Sequence, residues 1–535
     1  MRKIAGVLAP KGSVRREITK GILKAWLRPG DYNQWARERM DKIQLHSDNQ
    51  FENYPLISVV IPAFNTPQKY LDPCVWSIIN QTYSNWELII VNASKDARSS
   101  KLIQSYIQSD TRIQVINKKN EGISANTNAG IELAKGQYIA FVDHDDVLDI
   151  DALRSIVEAI NTNPDVGVIY SDEDKLSEDG SKYMNPHFKP GWSPHLLTHV
   201  NYITHFVVAS KALVDKVGRL DPAKDGAQDY DLLLKLTDLD VPIRHIPRVL
   251  YHWRVADMST AADVSNKPYV LKAGEAALSD HFRRRKIKAI AKARPNMPGF
   301  YSTIHRGPRP TLIIMPFANQ LLVERYLSIL DSRGLLAGYR IIKPEYKKAD
   351  FLKDAVSEAE ENVIIINDFI IPENKSWASD LSGLLSDKRV FAVAPAVLTG
   401  WRSVLDMGLV NHNTERRLLF AGEEFGVNTP FGNTSWPRNV DYLTGSVIAA
   451  RKKDLQLYLD KKPEGNRELT GFSEAKGDKF NVVWSDVVVT HVRVPLAGNA
   501  SRFYNPNINA QEDSQKFYIN EQQILDALVA MEGVA

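Results

Sequence analysis

The chain has 535 residues, 44% apolar and 24% charged, ordinary values for soluble globular domains and enough for two to four of them. Its one cysteine, Cys74, excludes an internal disulfide framework, and no apolar run approaches the ~18 residues of a membrane-spanning helix. The net charge is only +3, yet residues 1–28 hold eight bases against the single acid Glu17.

In that first segment Val14, Ile18, Ile22, Leu23 and Trp26 recur at helical spacing with bases between them. Such a basic amphipathic helix either lies on a membrane surface or packs its apolar stripe on the body of the protein. Residues 1–50 are set apart on this ground. No compact apolar core or small-residue cleavage site marks a secretory signal, so a cytoplasmic location is expected, with the inner membrane face as its peripheral variant.

From Leu56 to about Tyr251, apolar runs alternate with helical patterns, which predicts an α/β domain with a mostly parallel sheet over 51–295. Strands are expected at 56–61, stopped by Pro62, then at 87–91, 113–116, 137–142 and 166–170. Helices are expected at about 70–80, 124–134 and 230–236. The basic run from His281 to Arg294 ends a helix and carries no accompanying nucleic-acid motif, so no nucleic-acid partner is expected. Residues 296–310, rich in Pro, Gly and Arg, read as a linker. The pattern then restarts: Thr311 to Pro316 echoes Ile57 to Pro62, Asn362 to Phe369 echoes the strand at 137–142, Val390 to Pro395 echoes that at 166–170, and Tyr442 to Arg451 echoes Tyr202 to Lys211. A divergent duplication is expected, its second copy spanning 311–535.

The strand at 137–142 ends in Asp143-His144-Asp145-Asp146. Parallel sheets present their chemistry at the C-terminal ends of their strands. Carboxylates crowded there repel unless a cation neutralises them, and hard divalent cations prefer oxygen ligands and keep bound phosphate. A metal–diphosphate site is one reading. The other is helix capping, for which Asp149 and Asp151 are also placed.

Together with these, Ser171-Asp172-Glu173-Asp174-Lys175, His187-Phe188-Lys189-Pro190, Gln228-Asp229-Tyr230-Asp231-Leu232 and Tyr251-His252-Trp253-Arg254 resemble glycosyltransferase family 2, in particular the two-domain bacterial enzymes of O-antigen and surface-polysaccharide synthesis. The resemblance is strong over 54–260 and weaker over 310–510, where Tyr504-Asn505-Pro506-Asn507 is similar to a family ending. It implies a GT-A fold, Rossmann-like and here duplicated with a degenerate second GT-A-like domain, a nucleotide-diphosphate sugar donor, and Mg²⁺ or Mn²⁺. It implies donor contacts at Pro62, Asn92, Asp143 and Asp145, and metal contacts at Asp145, Asp146 and His252. Acceptor or cleft contacts fall on Asp172, Glu173 and Asp174, expected in a loop after a strand, and on His205. The catalytic base falls on Asp229, expected to open a helix whose N-terminus stabilises its ionised form. A single displacement with that base predicts inversion.

Two departures stand out. Where the family has an Asp-Asp-small-Ser turn, this chain reads Val91-Asn92-Ala93-Ser94, so a neutral amide replaces the carboxylate that meets the base. In the second half the acidic motif is reduced to Asn367-Asp368-Phe369, and Pro463 to Glu468 stands where its base would be, so that copy is expected to be non-catalytic, either holding the acceptor glycan or packing on the first. The expected function is metal-dependent extension of a bacterial surface glycan such as O-antigen on a lipid-linked acceptor. Its alternative is a nucleotide-sugar or glycan-binding assembly protein without turnover. Processive synthesis is disfavoured because no spanning segment or Gln-x-x-Arg-Trp motif is apparent, and a dehydrogenase because no Gly-x-Gly-x-x-Gly follows the first strand.

Overall fold

The computed structural model describes residues 32–34, 36–37, 51–255, 268–294, 297, 299–315, 318–346, 348, 350–412, 415–462, 469 and 471–492. The basic segment 1–28, the candidate second base region 463–468 and the motif 504–507 lie outside them.

The first half is built on β1 (Ile57–Ala63), β2 (Trp86–Asn92), β3 (Ile113–Asn117), β4 (Tyr138–Phe141), β5 (Val147–Leu148), β6 (Val168–Leu176), β7 (Tyr183–His187), β8 (Val207–Ser210) and β9 (Ile243–Arg254). They form one sheet in the order β3-β2-β1-β4-β8-β6-β9-β5, with β7 paired to β6. The first four strands run parallel, as the apolar runs predict: β1 and β2 are buried almost throughout, the pattern of strands covered on both faces. Beyond β4 the sheet is mixed, because β8 enters antiparallel between β4 and β6.

Helices α1 (Gln68–Ile79), α2 (Ala97–Ser105), α3 (Ile123–Leu133), α4 (Ala152–Thr162), α5 (Gln228–Thr237) and α6 (Pro268–Arg285) accompany these strands. Helix α3 packs closely on β1 because residue 130 is glycine; a Cβ there would come within 2.5 Å of Val60. Its N-terminus is held by Asp225, which accepts from the Ser124 backbone N–H at 3.3 Å and from the Ser124 hydroxyl. That contact ties α3 to the loop that leads into α5, and hence to Asp229.

The stretch read as a linker is structured. Strand β10 (Ala289–Ala293) pairs antiparallel with β11 (Tyr301–His305), and the buried Tyr301 packs in the first-half core.

The second half repeats the architecture. Its strands are β12 (Thr311–Ile314), β13 (Arg340–Ile342), β14 (Asn362–Ile366), β15 (Ile370–Pro372), β16 (Val390–Leu398), β17 (Val404–Asp406), β18 (Arg438–Val440), β19 (Val447–Arg451) and β20 (Phe480–His491). The order is β13-β12-β14-β19-β16-β20-β15. The run β13-β12-β14 is parallel, β19 is antiparallel to β14 and β16, and β20 is parallel to β16. Strand for strand this matches the first sheet without the counterpart of β3. The two halves also touch through buried polar groups: His195 reaches Asp387 at 3.5 Å and His199 reaches Asp486 at 3.3 Å. Among the described residues no helix is long and apolar enough to cross a membrane.

Candidate active site

The acidic motif forms a tight turn after β4, with the Asp146 N–H donating to the Asp143 carbonyl at 3.4 Å. The N-cap position of α4 is Asp151, outside the motif, and its side chain makes no capping hydrogen bond, accepting instead from the Thr82 hydroxyl at 2.7 Å; Asp149 accepts the Asp151 N–H at 3.0 Å.

Asp146 is buried, with one hydrogen bond to each carboxylate oxygen: it accepts from the Tyr251 hydroxyl at 2.6 Å and from the Arg254 N–H at 2.8 Å. Burial, and then the neighbouring Asp143 charge, push its carboxyl well above the ordinary range. Asp143 stands half-exposed in the cleft, its side chain 50% accessible, with His205 Nε2 at 3.6 Å from Oδ2. Desolvation opposes its ionisation, but His205 holds its carboxyl below the ordinary value. Ligand atoms of Asp143, Asp146 and His205 all lie within 4.8 Å of one another.

His205 is positioned from two sides. Its ring lies flat on Tyr251, and its Nδ1 is 3.4 Å from Glu173 Oε2. Burial works against its protonated form, but Asp143 and Glu173 raise its pKa well above the usual histidine value. Glu173 also meets Lys189 Nζ at 3.0 Å and His187 Nδ1 at 3.7 Å. Burial opposes its charge, and these cations hold its carboxyl well below the ordinary range.

Once its proton is displaced, as metal binding requires, the His205 imidazole adds a nitrogen to the two carboxylates, and these O, O and N donors converge on one point, a set that fits a divalent cation. Glu173 on the far ring nitrogen is the carboxylate–histidine arrangement that fixes the tautomer of a metal-bound imidazole.

The expected ligand His252 is not in this set. Strand alternation sends Tyr251 and His252 to opposite faces of β9. Tyr251 meets the acidic turn, whereas His252 is buried with its Nδ1 2.6 Å from Asp174, a neighbour in register on β6. Asp145 also stays outside the triangle. It is partly exposed at the mouth of the turn, 3.7 Å from His144, and desolvation raises its pKa.

The expected acidic loop is a strand. Residues 171–174 lie inside β6, and all three carboxylates are buried with partners. Asp172 accepts from the Lys189 N–H at 2.8 Å and faces His245 Nε2 at 2.7 Å. Asp174 meets His252 and accepts from the Tyr32 hydroxyl at 2.7 Å. Only Glu173 shares the face of Tyr251 and His205, so Asp172 and Asp174 serve the sheet.

Asp229 opens α5 and is exposed toward the cleft, where Asn201 Nδ2 donates to its Oδ2 at 2.9 Å. Its pKa is raised, not lowered as the helix N-terminus alone predicts: desolvation outweighs the Tyr230 N–H and the His205 charge. The result is a more basic carboxylate. The charges of His205 and Asp143 both act on it, in opposite directions.

Pro62 and Asn92 sit at the ends of β1 and β2, in adjacent register through Ala63. The Asn92 amide donates to Asn117 at 2.7 Å, and its oxygen accepts the Ser94 N–H at 3.1 Å. Tyr251 was not anticipated from sequence. The signal for it is the period of two: placing His252 on one face places Tyr251 on the other.

Residues 58–217 match glycosyl transferase family 2. The uncharacterized glycosyltransferase MJ1057 of Methanocaldococcus jannaschii is 30% identical over 208 residues, 38% of this chain and 71% of the relative. This chain belongs to glycosyl transferase family 2. The family assignment accounts for the acidic turn after β4 and gives the first half its GT-A fold. The O-antigen biosynthesis protein RfbC of Myxococcus xanthus is 28% identical over 500 residues, 85% of this chain and 38% of the relative. The uncharacterized protein y4gI of Sinorhizobium fredii is 38% identical over 299 residues, 54% of this chain and 33% of the relative. The chain thus spans 38% and 33% of the length of these two relatives.

Proposed function

We propose that the first half transfers a sugar from a nucleotide-diphosphate donor to a hydroxyl of a bacterial surface glycan, with inversion. The observation that carries this reading is the convergence of Asp143, Asp146 and His205 on one cleft wall, with Asp229 coupled to them. Asp143, Asp146 and His205 would hold Mn²⁺ or Mg²⁺, with Asp145 at the mouth of the same turn. A divalent ion bound there supplies Lewis-acid stabilisation of the departing diphosphate.

The protein's own groups do the rest. Pro62, Asn92 and Asp143 bound the donor at the ends of β1, β2 and β4. Glu173 and Tyr251 keep His205 in one orientation, so that the donor meets a preformed wall. Asp229 takes the proton of the acceptor hydroxyl as the new C1–O bond forms and the C1–phosphate oxygen bond breaks. Desolvation makes Asp229 more basic, which suits a general base. The O-antigen name of the Myxococcus relative supports a surface glycan as product; a lipid-linked acceptor at the inner membrane face belongs to the same proposal.

The second half is proposed to be non-catalytic. Gly445 stands where the echoed motif has His205, β16 carries no carboxylate, and Asp368 is engaged by His491 at 2.9 Å. Nucleotide-diphosphate release from a panel of donors with Mn²⁺ tests the proposal. Release by the intact chain, lost in Asp229→Asn with donor binding retained, supports it; equal release by both overturns the assignment of the base.

A further inference from the structure

Three bases of the run from His281 to Arg294, namely Arg284, Arg285 and Lys286, line a second cleft, of about 620 Å³. The second half contributes residues 386–389 to it, so both halves form the site. Helix α5 separates this cleft from the acidic turn. Asp229 opens the helix, while Asp238, one residue past its end, lies in the cleft wall. At the α-helical rise the two stand about 14 Å apart along the axis.

Seven bases and three acids line the cleft, and pairing engages only four of the bases. Arg284 meets Asp238 and Arg285 meets Asp240, each at 2.5 Å, and Arg389 meets Asp387 at 2.7 Å. Lys235 turns to Asp231 at 2.9 Å. This leaves Lys216, Lys286 and Lys388, all exposed, with no carboxylate partner among the described residues. The Ser386 hydroxyl, shielded from solvent in the same wall, has no hydrogen-bond partner among them either.

Like charges held in a concave surface focus a positive potential and draw in anions. Helix ends attract bases as well, which accounts for 284–286 at the end of α6 but not for Lys388, which sits in a turn. Lys286 is moreover kept at a conformational cost: its φ of +57° is the left-handed state that helix ends ordinarily give to glycine. Three unpaired ammonium groups exceed the charge of a single phosphate, about −2 at neutral pH. A diphosphate matches them more closely, and the Ser386 hydroxyl adds a neutral donor. A cleft of this volume also has room for the group that carries the diphosphate.

We propose that this cleft binds a diphosphate through Lys216, Lys286 and Lys388, at a site shared by the two halves and separate from the acidic turn. Neither the acidic turn nor Asp229 takes part in it. Calorimetric titration of the full chain in EDTA, with inorganic pyrophosphate, UDP and geranyl diphosphate, tests it. Saturable binding of pyrophosphate to the parent is expected, weakened about tenfold when Lys286→Asn and Lys388→Gln are combined. Asparagine tolerates the left-handed state, so the melting temperature should stay as in the parent. Lys216→Gln, which leaves residue 286 untouched, should weaken binding in the same direction. Lys288→Gln removes a base of the same run that lies outside the cleft, and should leave the affinity unchanged. Tighter binding of UDP than of pyrophosphate would assign the site to a free nucleotide, and tighter binding of geranyl diphosphate to a lipid headgroup. Equal affinities would assign it to the diphosphate group alone. No saturable binding by the parent, parent-like affinity in the double variant, or an equal loss in Lys288→Gln overturns the site.

Discussion

His205 lies flat on Tyr251, with ring centroids 4.9 Å apart and planes 11° from parallel. The stack leaves both ring nitrogens on the imidazole edge, one toward Asp143 and the other toward Glu173. Sheet geometry makes this pairing: Tyr251 stands in register with Glu173 on the neighbouring strand.

Glu173 should therefore govern metal affinity without being a ligand. Glu173→Gln is expected to weaken Mn²⁺ binding by roughly 10–100-fold, the usual effect of losing a partner behind a metal-bound histidine. Electron paramagnetic resonance titration of free Mn²⁺ measures it. His252→Asn should leave that affinity unchanged while lowering the melting temperature, since His252 is paired with Asp174 inside the sheet. The opposite pattern would return His252 to the ligand set.

The Tyr251 hydroxyl donates to Asp146 and accepts the Asp143 N–H at 3.2 Å. Removing it in Tyr251→Phe strands a buried carboxylate oxygen and a backbone donor. A loss of about 1–3 kcal/mol in urea unfolding is expected. A change below about 0.5 kcal/mol would mean that the turn is held by Arg254 alone.

Asp229→Asn preserves shape and removes the proton acceptor. Steady-state transfer should fall by about 10²–10⁴-fold, the range for general acid–base groups, with the donor dissociation constant unchanged. An equal loss in donor binding would make Asp229 a positioning residue instead.

Stability should fall on mild acidification because of His305, which burial between Phe282 and Trp484 pushes down to about 3. The unfolded chain binds this proton near pH 6.5 and the folded one does not, so stability rises with pH across that window. The contribution is whole above pH 6.5 and is lost progressively as pH falls toward 3. Between pH 7 and pH 5 it amounts to about 2 kcal/mol. Melting curves over that interval should flatten in His305→Phe by a corresponding amount; parallel curves would remove His305 as the source.

The duplication was legible because each copy repeats its apolar strands in one order, and the repeat survives in the topology of both sheets. Within residues 296–310, Pro and Gly gave no sign of the strand at 301–305, since they mark turns within domains as readily as links between them. The acidic run 171–174 misled for a different reason. A carboxylate run reads as solvated unless its partners are visible, and Lys189, His245 and His252 arrive from 15 or more positions away in the chain.

By itself, the order of residues determined the strand pattern, the acidic turn after β4, the family and the position of Asp229 at a helix start. These depend on local periodicity and on motifs only a few residues long. Tertiary structure alone decided that His205, not His252, stands beside Asp143 and Asp146, that Glu173 stands behind it, and that a turn of the second half packs on the first. Such contacts depend on strand register and on which face a side chain takes. A shift of one position reverses that face without altering the composition from which sequence is read.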